Sequence, residues 1–147
     1  MGFKLGKNKV RKNTGYKYFP KNQWELKHIL RKRLAKDENA DLNDIDVSKV
    51  GNMFDAFEST DPHNINISEW DVSNVKNMSM MFFDCKNLNC DLSDWDVSNV
   101  VQFDHTFYGC KKFTGKGLEN WNVSNVEYMG NMFDGCDSLK NIPSWYK

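Results

Sequence analysis

Carboxylate side chains recur on both sides of one tryptophan position, and they are the residues of this chain best placed to do chemistry. Asp94 and Asp96 flank Trp95, and the pattern appears at three further places. The flanking residues are Asp44, Asp46, Glu69, Asp71, Asp94, Asp96, Asn120 and Asn122. Carboxylates arrayed as a repeat indicate a binding face, because an acid–base pair needs two carboxyl groups in unlike environments.

Three interpretations of this acidic set stay open at the level of sequence. It is a solubilising face whose like charges discourage strands from pairing edge to edge. It is a docking face for a basic protein surface. Or it is a calcium site, since carboxylates from adjacent strands can share a hard cation.

The cysteine and histidine residues are weaker indications of a metal, redox or catalytic site. Cys85, Cys110 and Cys136 occupy one repeat position, which fits either a redox or metal column or, more simply, small buried residues. The sequence has no CxxC pair, Cys90 has no equivalent in the other repeats, and the three histidines fall at unrelated positions. Without a Gly-rich phosphate loop or a Ser/His/Asp arrangement either, we expect no metal, no cofactor and no enzyme activity.

The elements that would position the carboxylates come from an internal repeat. Residues 70–88 recur at 95–113 and 121–139, a fainter copy covers 45–63, and Trp145 begins another. The offsets from Ile45 through the successive tryptophans are 25, 25, 26 and 24 residues. A fixed period of this length is typical of stacked supersecondary units.

Within each repeat the sequence predicts a strand followed by a helix. Charged residues alternate with Trp95 and its apolar neighbours, which favours a short half-buried strand. Apolar residues then follow at spacings of three and four, which favours a helix of two to three turns ended by Gly109 or Gly135. The helical positions of one repeat are Val75, Met78, Met81, Phe82 and Cys85. Stacked coils would place a parallel sheet on one side, helices on the other, and columns of Trp, Phe, Met and Val between them.

The N-terminal region differs sharply in charge. Residues 1–36 hold 12 Lys or Arg and a single acid, whereas the remaining residues hold 8 Lys or Arg and 19 acids. We divide the chain into a basic arm, residues 1–19, and a repeat domain, residues 20–147. Within the repeat domain, the cap spans residues 20–44, the repeats start near residues 45, 70, 95 and 121, and the terminal edge is residues 145–147. After Pro20, Asn22 and Glu25 form an N-cap signature, and the following helix would cover the first coil.

The basic arm carries Lys4, Lys7, Lys9, Arg11, Lys12 and Lys17. It is either a disordered arm or one that binds anions or nucleic acid. A further hypothesis places the arm of one molecule on the acidic face of another, which would give salt-sensitive self-association.

The motif W-D/N-V-S-N-V-x-x-M/F-x-x-x-F-x-x-C-x-x-L/F resembles the BspA-like family of leucine-rich-repeat proteins, in the lipoprotein-repeat form with WDVSNV motifs. The resemblance covers about residues 16–147 and includes the lead-in that resembles the family's N-terminal capping segment. It implies an α/β fold, a short right-handed leucine-rich-repeat-like solenoid with an N-terminal capping helix. It also implies adhesion or protein recognition, on bacterial surfaces or in mobile elements, with no catalytic residue.

The sequence therefore predicts a non-enzymatic protein–protein interaction module that binds a basic protein partner through its acidic face. One alternative is a small phage or mobile-element inhibitor that occludes a basic nucleic-acid-binding host protein. Another is nucleic-acid or anion binding through the basic arm. With no apolar membrane span and no signal peptide in the sequence as given, we expect a cytoplasmic protein, or a cell-surface protein if a leader was removed.

Overall fold

A computed structural model describes residues 15–147, together with the backbone of two short strands that pair antiparallel, β1 (Lys4–Leu5) and β2 (Lys9–Val10). Most of the basic arm therefore lies outside the described residues, including the side chains of its first five cations. Lys17 is described and exposed, and its backbone N–H donates to the Asp44 carbonyl at 2.8 Å.

The predicted capping helix is present as α1 (Gln23–Lys36). Its N-cap is Asn22, whose side-chain oxygen accepts the Glu25 backbone N–H at 3.0 Å, because the first helical N–H groups have no partner within the helix. The apolar face is buried at Leu26, Leu30 and Leu34. The helix covers the first coil of the stack.

The predicted strand–helix repeats are wrong. Between residues 37 and 147 the chain forms one short 3-10 helix (Leu118–Asn120) and isolated backbone bridges, with no α-helix and no sheet. The α/β leucine-rich-repeat-like solenoid is therefore not the fold of the described residues. Each repeat is instead a string of β-turns, such as Met81 N–H to Met78 O at 3.1 Å and Cys85 N–H to Phe82 O at 3.0 Å.

The turn string explains why the sequence looked helical. A β-turn brings its first and fourth residues to the same side of the chain, so apolar residues three apart face inward as they would in a helix. Between them lie residues with positive φ, such as Met80 (56°) and Asp84 (58°), which no right-handed helix contains. Gly109 and Gly135 take the same left-handed turn position as Asp84, rather than ending helices.

Successive repeats are joined by a ladder of backbone hydrogen bonds, here named the turn ladder (residues 52–58, 77–84, 102–109 and 128–135). Parallel bridges connect Asn52, Asn77, Gln102 and Tyr128 in turn. Eleven ladder N–H groups each donate to a carbonyl of the next repeat, at 2.7–3.2 Å. Residues about one period apart in sequence are therefore adjacent in space.

The core consists of aromatic and aliphatic columns that run along the stack. Each indole from Trp70 to Trp145 stacks on the next with centroids 6.3–6.4 Å apart and rings within 11° of parallel. Phe57, Phe82, Phe107 and Phe133 form a second column at 4.9–5.7 Å.

Candidate recognition surface

The second residue of each predicted acidic pair begins a local turn. Asp46, Asp71, Asp96 and Asn122 each accept, on Oδ1, the backbone N–H of the serine two residues on, at 3.0–3.1 Å. In the first two repeats the serine hydroxyl also donates to the same oxygen, at 2.6 Å. These are Asx turns, which short polar side chains form with their own backbone. The carboxylates are thus fixed in orientation.

The first residue of each pair has a different environment in each repeat. Asp44 accepts two hydrogen bonds from Arg33 Nη1, at 2.7 and 3.0 Å, while Arg33 Nη2 donates to the Asp41 carbonyl at 2.9 Å. The guanidinium also lies over the Tyr18 ring, 5.3 Å from its centroid. Asp44 therefore attaches the capping helix to the stack.

The remaining first-position residues face outward to different degrees. Glu69 and Asp94 are half-buried, and the Glu69 backbone N–H donates to Asn43 Oδ1 at 3.0 Å. Asn120 is exposed at the end of the 3-10 helix. The structure therefore aligns the predicted set along the stack, with Asp44 held by Arg33.

The half-exposed carboxylates that remain form what we name the acidic row: Asp46, Glu69, Asp71, Asp94 and Asp96. The indoles of Trp70 and Trp95, on neighbouring repeats, stack with their centroids 6.3 Å apart, which gives the scale of the spacing between repeats. Two unit charges at that distance in water repel by about 0.7 kcal/mol. Among the described residues, no three His, Cys, Asp or Glu side chains come together closely enough to hold a metal ion.

Other polar residues of the repeat motif bind the preceding repeat. Each tryptophan Nε1–H donates to a backbone carbonyl one repeat back, as Trp95 does to Ile67 at 2.9 Å. The asparagine of the Ser-Asn pair does the same, as Asn99 Nδ2 does to the Ser73 carbonyl at 2.7 Å. These motif residues are explained by stacking rather than by ligand binding.

The cysteine column is likewise structural in its contacts. Cys110 Sγ donates to the Phe82 carbonyl at 3.0 Å, and Cys136 Sγ to the Phe107 carbonyl at 3.0 Å. Burial raises the pKa of the Cys85 thiol to about 12 and that of Cys136 to about 11, because a thiolate is poorly solvated there. All four cysteines are free thiols.

One surface feature was missed by reasoning from the sequence. On the outer side of the turn ladder, Phe83 and Tyr108 stack with centroids 5.0 Å apart, and His105 lies 5.6 Å from Tyr108. All three side chains are half-exposed. The available signal was two aromatics one period apart, but no pattern predicted that this position faces solvent.

No helix of the described residues is long and apolar enough to cross a membrane. No curated protein and no solved structure matches the chain. Residues 24–145 match the family described as Mycoplasma protein of unknown function, DUF285. That match begins in the capping helix and runs through every repeat to the last tryptophan, and the chain is therefore a member of the DUF285 family.

Proposed function

We propose that this protein is a non-enzymatic recognition module that binds a basic protein surface through the acidic row. The observation that carries the proposal is the set of Asx turns, which hold Asp46, Asp71 and Asp96 in register on consecutive repeats. Charged groups that are already oriented lose little side-chain entropy on binding. A row of like charges at a regular interval also attracts and orients a complementary surface.

The motif's resemblance to BspA-like repeat proteins supports the same class of function, since that resemblance implies recognition rather than catalysis. A nucleic-acid-binding protein presents the kind of basic surface that this row would cover. The inhibitor of such a host protein is accordingly the more specific form of the proposal.

The decisive experiment removes charge without removing the turns. Asp71→Asn with Asp96→Asn keeps the Oδ1 acceptor, as Asn122 does naturally in the last repeat. We expect this double variant to keep its stability and to lose at least about tenfold in affinity for a cationic protein captured from cell lysate, because two charge pairs disappear. The matched control, Asp84→Asn with Glu127→Gln, removes two exposed charges elsewhere. Equal affinity of the two double variants would refute the proposal.

A second candidate function is nucleic-acid binding through the N-terminal region. The exposed side of α1 carries Arg31, Lys32 and Lys36, and the exposed Lys21 precedes its N-cap. These cations add to those of the arm. Phosphate binding through such residues weakens steeply with salt. Nucleic acid recovered with the intact protein, and lost only on deletion of residues 1–14, would favour this function over the first.

A further inference from the structure

The stacked aromatic pair on the outer side of the turn ladder lies outside the buried core. Phe83 and Tyr108 hold the same position in consecutive repeats, with Glu58 in the repeat before them and Asp134 in the repeat after them. We name these four residues the outer column. The two rings lie within 7° of parallel, 5.0 Å apart, and both side chains are half-exposed. Aromatic side chains in such positions dominate the energetics of many interfaces, so the pair is a candidate contact for a ligand.

The position of His105 shows which ring face is open. Its ring centroid is 6.3 Å from that of Phe83 and 5.6 Å from that of Tyr108. A ring stacked on the outer face of Tyr108 would lie about twice as far from Phe83 as Tyr108 does, so the imidazole lies beside the pair and not above it. The face of Tyr108 that points away from Phe83 therefore has no aromatic ring against it among residues 15–147.

A carboxylate stands where a third ring of the outer column would be. The Gly109 N–H donates to the Asp134 carbonyl at 2.8 Å, just as the Asp84 N–H donates to the Tyr108 carbonyl at 2.7 Å. The turn ladder between the third and fourth repeats thus places Asp134 next to Tyr108, and Asp134 is exposed. A ring face and a carboxylate both attract positive charge, so side by side they favour a cation.

Two contacts within the chain show that the cation suited to this arrangement is arginine. The Arg33 guanidinium lies over the Tyr18 ring, 5.3 Å from its centroid, while it donates twice to Asp44. In the outer column itself, Glu58 Oε2 accepts a hydrogen bond from Arg31 Nη2 at 3.2 Å. A planar guanidinium stacks on an aromatic ring and pairs with a carboxylate through its fork of N–H groups, which a lysine ammonium does not do.

We propose that the open face of Tyr108 and the carboxylate of Asp134 bind an arginine side chain of a partner protein. The half-exposed side chains of Phe83 and Met80 provide apolar surface for the residues on either side of that arginine. A nucleobase would also stack on an exposed ring, but Asp134 and the neighbouring carboxylates would repel its phosphates. The site contains no residue of the acidic row and does not depend on it.

Titration of the full chain followed by NMR tests the proposal, with a short blocked peptide that carries one arginine between two leucines as the probe. We expect the ring signals of Tyr108 and His105 to shift, and the same peptide with lysine in place of arginine to bind about threefold to fivefold more weakly. Equal affinity of the two peptides would overturn the proposal, because charge alone would then be recognised. It would also be overturned if a single strand of about eight thymidines shifted these signals and the arginine peptide did not.

Variants of the two proposed contacts locate the site. Tyr108→Leu and Asp134→Asn should each weaken binding of the arginine peptide about threefold to fivefold, whereas Tyr108→Phe, which keeps the ring, should bind within about twofold of the unaltered protein. The matched controls are Tyr128→Leu, at a tyrosine that is 52% exposed outside the outer column, and Asp137→Asn, at another exposed carboxylate of the fourth repeat. Neither control should change the affinity.

The acidic-row variant, Asp71→Asn with Asp96→Asn, should leave the affinity for the arginine peptide unchanged. A loss of affinity in this variant alone would overturn the proposal and assign the peptide to the acidic row. The proposal would equally be overturned if the variants at Tyr108 and Asp134 bound the peptide as tightly as their matched controls.

Discussion

Replacing Trp95 with phenylalanine is the sharpest test of how the stack is held together. The indole is 1% exposed, stacks between two other indoles, and donates to the Ile67 carbonyl at 2.9 Å. That carbonyl also accepts the Trp70 backbone N–H at 3.2 Å, so it keeps one donor in the variant. The lost hydrogen bond therefore costs about 1 kcal/mol rather than the larger penalty of an orphaned buried carbonyl.

The smaller ring adds two further terms to the cost of Trp95→Phe. Lost apolar burial contributes about 1 kcal/mol. A residual cavity of about 40 Å³ contributes about 1 kcal/mol more. We expect the free energy of unfolding to fall by about 3 kcal/mol, which corresponds to a decrease in Tm of about 6–12 °C for a domain of this size.

Calorimetry and urea denaturation of Trp95→Phe and Trp145→Phe measure the effect with an internal control. Trp145 makes the equivalent bond to the Leu118 carbonyl at 2.8 Å, but it lies at the half-buried end of the stack. Water can replace its hydrogen bond there, so we expect a loss of about 1 kcal/mol. Equal losses for the two variants would refute the argument that indole stacking and bonding in the middle of the stack dominate stability.

Two further predictions concern the capping helix and the thiols. Arg33→Met should lower the free energy of unfolding by about 1–3 kcal/mol, because it breaks a charge-assisted pair with Asp44. Arg31→Met removes a more exposed pair with Glu58 and should change the free energy of unfolding by less than about 1 kcal/mol. Urea denaturation of the two variants measures both values. Similar losses of stability in the two variants would contradict the role of Asp44 in attaching the capping helix to the stack. Alkylation by iodoacetamide at pH 8 should be slow in the folded protein, with Cys136 reacting before Cys85, and mass spectrometry identifies the sites. Folding raises both thiol pKa values above the ordinary 9.0, so the stability that the buried thiols contribute is present below pH 9 and is lost as the pH rises toward 11–12. A free energy of unfolding that stays constant across that pH range would contradict the argument that burial raises these pKa values.

The sequence was sufficient to predict the period, the core columns and the capping helix. Each depends on a signal that is local or strictly periodic. Apolar residues repeated every 25 or 26 positions must share one environment in any stacked fold, whatever the local backbone does. The N-cap of α1 is a local signature too, since Asn22 and the backbone it satisfies are three residues apart.

The backbone conformation of the repeats was not predictable from apolar spacing alone. A spacing of three places side chains on one side of a helix and equally at the two ends of a β-turn. A second signal was present, however. Asp or Asn followed two positions later by Ser occurs at Asp71, Asn77 and Asp96, and each forms an Asx turn in the structure. Frequent Asx turns favour turns over helices, because the side chain competes for backbone N–H groups.

The candidate site was partly predictable for a related reason. Alignment of the acidic row follows from the period, which the sequence contains. The pairing of Asp44 with Arg33 joins a turn to a helix 11 residues away, and it depends on how α1 lies across the first coil.

Hydrogen bonds run in both directions between successive repeats. The side chains of the tryptophan, asparagine and cysteine columns donate to carbonyls of the preceding repeat, and so do the backbone N–H groups of Gln102 and Tyr128. Alternate N–H groups of the turn ladder donate instead to carbonyls of the following repeat. Each interface inside the stack therefore has donors and acceptors on both of its sides.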